Sequence, residues 1–83
     1  MDLNFAVHVP NESAGREVAR LVTARGYSPS VELDEESGEW TCYCTKRMIA
    51  THETVVAAQA ELDEVSAPFG GYSDGWGTIG NGP

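Results

Sequence analysis

A chain of 83 residues is too short for two domains and leaves a thin core around which to build a deep active site. Its 41% apolar and 22% charged content suit a folded domain. Thirteen acidic against five basic residues give a net charge of −8, which repels nucleic-acid phosphates and anionic membranes and speeds encounter with basic partners.

In chain order, LNFAVHV alternates, with Leu3, Phe5, Val7 and Val9 on one face and Asn4, Ala6 and His8 on the other. That period of two predicts a half-buried strand. PNESAGREVARLVTARGY then predicts a helix capped by Asn11 and stopped at Gly26, with Ala14, Val18, Leu21 and Val22 as its apolar stripe. Glu12 and Arg16 are spaced for a pair one turn apart. SPSVELD reads as a short strand with Val31 and Leu33 inward, and Pro29 suggests an edge position. An acidic turn containing Ser37 and Gly38 leads to its hairpin partner, EWTCYCTK.

A second helix follows, capped by Thr51 and bounded by Pro68, with Val55, Ala58, Leu62 and Val65 on one face. The segment from Tyr72 to Ile79 supplies a last strand, and residues 80–83 form a Gly-rich tail expected to fray. The order strand, helix, strand, strand, helix, strand predicts one α+β domain over residues 1–79. It is a ferredoxin-like βαββαβ sandwich with a four-stranded antiparallel sheet and two helices on one face.

Cys42 and Cys44 are the only cysteines, and with Trp40 they share one face of the third strand. Side chains at i and i+2 stand parallel, too far apart at their β-carbons for an unstrained disulfide. Only His52 could join them as a ligand, at a spacing that matches no zinc motif. They read as small buried apolar side chains. No serine lies in a nucleophile motif, and GGYSDGWG lacks the lysine and following helix of a phosphate loop. These observations predict a non-catalytic protein with no metal and no cofactor. The start of the chain lacks a signal-peptide pattern and no run reaches membrane-spanning length, so a cytoplasmic location with reduced thiols is expected.

Binding is the remaining chemistry. Carboxylates gather around the hairpin (Glu32, Asp34, Glu35, Glu36, Glu39) and late in the second helix (Glu61, Asp63, Glu64), where the helix dipole disfavours them. Both groups predict contact with a basic partner. The open sheet face, with Asn4, Ala6, His8, Thr41, Tyr43 and Thr45, offers an alternative site for a metabolite or single-stranded RNA. That face shows a lone tyrosine, and the acidic total opposes RNA.

Two stretches, GEWTCYCTKRMIATHETV and FGGYSDGWG, resemble the regulator of ribonuclease activity B family, the ribonuclease E inhibitor proteins. The opening NFAVHVPNESAGREVARLVTARGY follows the same family's pattern. Gly70-Gly71 and Asp74-Gly75-Trp76 are the most specific pieces, supported by Met48, Thr51 and Glu53. Two positions depart from it: Ser73 stands where the family more often has tyrosine, and Gly77 where a charged residue is usual. The resemblance implies a ferredoxin-like fold and a non-catalytic protein that binds an RNA-degrading endonuclease at its arginine-rich scaffold region and lowers its activity. Candidate contacts are Glu35, Glu36, Glu61, Asp63, Glu64, Asp74 and Trp76. Asp74 and Gly75 are expected to form a turn or bulge, with Trp76 filling the edge of the core.

Overall fold

A computed structural model describes residues 1–78. The expected elements are all present: β1 (Asp2–Val9), α1 (Glu12–Thr23), β2 (Ser28–Asp34), β3 (Glu39–Arg47), α2 (His52–Ser66) and β4 (Tyr72–Thr78). A short 3-10 turn, Ala67–Phe69, follows α2. The strands form one antiparallel sheet in the order β2-β3-β1-β4, with both helices over one face. This is the ferredoxin-like arrangement, with β2 and β4 as edges. The predicted ends of the chain, Ile79 as a strand residue and 80–83 as a tail, lie outside the described residues.

Local chemistry explains each helix. The Asn11 side chain accepts a hydrogen bond from the Ala14 N–H at 2.8 Å, satisfying a donor that the first turn of α1 leaves unpaired. Glu12 and Arg16 pair at 2.8 Å, as their spacing predicts. α1 ends at Thr23, three residues before Gly26, which takes a positive φ of 90° and turns the chain towards β2. α2 begins with a reciprocal capping box between Thr51 and Thr54.

The core lies between the helices and the covered sheet face. Leu3, Phe5, Val7 and Val9 from β1 meet Val18 and Val22 from α1 and Val55, Leu62 and Val65 from α2. Leu21 is only partly buried, at the margin of its stripe. Cys42 and Cys44 are fully buried on this face, opposite Val7 and Phe5 of β1.

Two glycine positions are set by backbone demands. Gly71 passes between the end of α2 and β1, where a β-carbon would stand 2.6 Å from the His8 carbonyl oxygen. Gly75 has φ of 125° and sits in a bulge. Phe5 pairs with Trp76 and Val7 with Ser73, so one residue of β1 faces Asp74 and Gly75 together.

The bulge matches the expectation from sequence, but the burial of Trp76 does not. Trp76 lies opposite Phe5, on the helix-facing side, yet it is 47% exposed. β4 is an edge strand, and among the described residues only α2 packs on its outer flank. The bulge puts the indole on the expected core side, but an edge position leaves half of it in water.

Candidate functional site

The acidic clusters belong to separate elements, one at the β2–β3 hairpin and one in the second half of α2. Asp34 and Glu39 close the β2–β3 hairpin at the end of the sheet where Trp40 pairs with Val9. α2 finishes at that same end, because Gly71, next to its terminus, abuts His8. Glu35 and Glu36 at the hairpin tip, and Glu64 and Asp74 on the opposite side, are exposed. The hairpin holds its shape through its own polar groups: the Glu36 N–H donates to the Asp34 carboxylate at 3.0 Å, and the Gly38 N–H to the Asp34 carbonyl at 2.7 Å.

Not every candidate is free for a partner. Glu61 accepts hydrogen bonds from the Tyr27 hydroxyl at 2.9 Å and the Arg25 guanidinium at 3.0 Å, tying the α1–β2 turn to α2. Burial alone would raise its carboxyl. The bonds from Arg25 and Tyr27, with the charges of Arg25 and Lys46, outweigh that and hold it below the usual carboxylate range. Tyr27 is pushed the other way, first by burial and then by the adjoining carboxylate. Lys46 lies over the Tyr27 ring, 4.8 Å from its centre, and donates to the Arg25 carbonyl. Asp63 accepts the Ser73 N–H at 2.6 Å, pinning β4 to α2. Glu61 and Asp63 therefore serve the fold, on opposite flanks of α2, while Glu64 alone of the three has no side-chain partner among the described residues.

The charge census sharpens this picture. Arg16, Arg20 and Arg25 are each paired with a glutamate, and Lys46 is occupied at Tyr27. Three of the thirteen acidic side chains are thus neutralised, and ten have no cation within ion-pair distance among the described residues. Lys46 and Arg47 are the two basic side chains without an ion-pair partner there.

On the opposite side of the sheet, the open face contains more aromatic surface than a lone Tyr43. Tyr72 pairs with His8 across β1 and β4, and the two rings sit 5.0 Å apart at 34°. No local pattern marks this neighbour, since the pairing spans the whole chain.

The two thiols approach to 3.8 Å in the core. The hydrogen bond to Cys42, together with burial, pushes Cys44 above the ordinary thiol range, which suppresses the reactive thiolate. No group of three or more metal-ligating side chains comes together among the described residues, and none of their helices is long and apolar enough to cross a membrane.

Fold and surface together define a small α+β domain that offers acidic exteriors and an uncovered sheet face to other molecules. The chain belongs to the regulator of ribonuclease activity B family, whose model matches residues 1–78. No curated protein and no solved structure matches it. The membership implies a regulatory role towards ribonuclease activity and a ribonuclease as protein partner. The most specific pieces of the resemblance now have physical reasons. Gly70 ends the 3-10 turn with φ of 79°, Gly71 threads past His8, and Asp74-Gly75 forms the bulge that leaves Trp76 at an exposed edge.

Proposed function

We propose that this chain is a non-catalytic regulator that docks on the basic, non-catalytic scaffold region of an RNA-degrading endonuclease of the ribonuclease E type, in the cytoplasm, and lowers its activity. The observation that carries this reading is the charge census. Ten carboxylates without an ion-pair partner among the described residues, against Lys46 and Arg47, make a surface that attracts an arginine-rich segment and repels the RNA substrate. Family membership supplies the enzyme class. Glu35, Glu36, Glu64, Asp74 and the half-exposed Trp76 are the proposed contacts, with Glu61 and Asp63 holding the surface in place. A large, partly exposed indole is the type of side chain that anchors interfaces.

The test is an RNA-cleavage assay with the full-length endonuclease and with a form lacking its scaffold region. Added protein should slow the full-length enzyme and leave the truncated one unchanged. Equal inhibition of both would place the contact on the catalytic part, and no inhibition of either would reject the reading.

A further inference from the structure

We propose that the open face of the sheet is an arginine-reading surface, on which Tyr43 stacks guanidinium groups from an extended basic segment of the protein partner. This rests on the reading above that the partner is a basic protein, and it adds a second contact surface to the acidic residues and Trp76 named there.

Both helices lie over one face, so among the described residues no element covers the other. Strand register assigns its charged side chains: Asp2, Glu32, Asp34 and Glu39 are carboxylates, and Arg47, opposite Asp2, is the single cation. A face with that balance rejects phosphate and carboxylate ligands and favours a cation.

The rings select which cation. Tyr43 occupies a central strand, half-exposed, between two shallow hollows of about 240 and 300 Å3. Glu32, Asp34, Glu39 and Thr41 border the first hollow, and Asn4, Ser30 and Thr45 border the second. A flat ring beside carboxylates suits a guanidinium, which is planar and weakly hydrated and can stack and donate to a carboxylate together. An ammonium keeps its water and gains less.

Tyr72, supported by His8, provides a second ring two strands away. Strand spacing and a two-residue offset in register put the two tyrosines roughly 12 Å apart, the reach of three or four extended residues. A partner segment with arginines at that interval meets both.

The experiment measures binding of the intact chain to short fluorescent peptides by anisotropy. One carries arginines three or four residues apart in a Gly/Ser background, a second has lysines at the same places, and a single-stranded oligouridylate is the third probe. The arginine peptide should bind about fivefold or more tighter than the lysine peptide, and the oligonucleotide should bind more weakly than either. Tyr43→Ala should weaken the arginine peptide about five- to tenfold and remove the preference. Tyr43→Phe should keep it, and Glu32→Gln should reduce it.

Because Tyr43 lies outside the core, thermal melting of all three variants should stay near that of the parent. Equal affinity for the two peptides overturns the proposal, as does an unchanged preference in a folded Tyr43→Ala protein. If Glu35→Lys and Glu36→Lys then weaken binding where Tyr43→Ala does not, docking runs through the hairpin. The regulatory reading survives that result, whereas failure of the whole endonuclease to bind rejects it. Tighter binding of the oligonucleotide than of the arginine peptide overturns the arginine assignment in favour of RNA.

Discussion

Replacing Glu61 with alanine should destabilise the protein although the residue sits within an acidic stretch that looks like a solvated helix face. Two interactions disappear. The hydrogen bond from the Tyr27 hydroxyl at 2.9 Å is partly buried and ends on a charged acceptor, a type that contributes about 1.5–3 kcal/mol. The Arg25 pair at 3.0 Å is largely exposed and adds about 0–1 kcal/mol. Together they predict a loss of about 2–3 kcal/mol, which in a domain of this size lowers the melting temperature by about 8–20 °C.

Acidity gives an independent reading of the same contact. The Glu61 carboxyl is held low in the folded state, so its contribution is present above the unfolded glutamate pKa and is lost as pH falls through the lowered folded value. The melting difference between parent and Glu61→Gln should therefore be largest near neutral pH and shrink in acid. Calorimetry across that range, with Glu64→Ala as the exposed control, checks both statements. A Glu61→Ala protein within about 0.5 kcal/mol of the parent, like an ordinary surface variant, would mean that the Tyr27 and Arg25 contacts carry no stability. A Glu61→Gln difference that grows on acidification would contradict the lowered carboxyl pKa.

Other perturbations separate fold from function. Phe5→Ala removes a fully buried ring and should cost about 3–5 kcal/mol, enough to unfold most molecules in chemical denaturation. Trp76→Ala, at a site 47% exposed, should cost only about 1–2 kcal/mol and stay folded while losing partner affinity; an unfolded variant would make the indole a core residue after all. Gly71→Ala drives a methyl group against the His8 carbonyl oxygen and should lower the melting temperature more than Gly77→Ala, whose β-carbon meets nothing within 4 Å. Both thiols should react with a chromogenic disulfide reagent only as fast as the chain opens, since Cys42 and Cys44 are fully buried and Cys44 is held protonated. Rapid labelling of the native protein would contradict that.

Much of the fold was legible in the sequence because its signals are local. β1 alternates without a fault, Asn11 and Thr51 are capping residues ahead of apolar stripes, and Gly75 follows an aspartate in a segment that had to bend. The site was less legible because its features depend on distant pairing. The 3.6-residue period turns Leu62 inward and sends Glu61 and Asp63 to opposite flanks, but it does not say that Tyr27 and Ser73 wait there. The bulge at Asp74-Gly75 turns Trp76 to the helix side, and whether anything covers an edge strand is decided by strand order. Tyr43 reads as solitary until β1 and β4 pair and bring Tyr72 onto His8.

In the proposed function an acidic domain recognises the arginine-rich scaffold of an RNA-degrading endonuclease. Titration calorimetry of this chain against that isolated scaffold segment, at low and at physiological salt, tests it most directly. Exposed charges are screened beyond about 8 Å at physiological ionic strength, so binding should be saturable and weaken about tenfold or more as salt rises. No detectable binding at low salt, or an affinity that salt leaves unchanged, would contradict it.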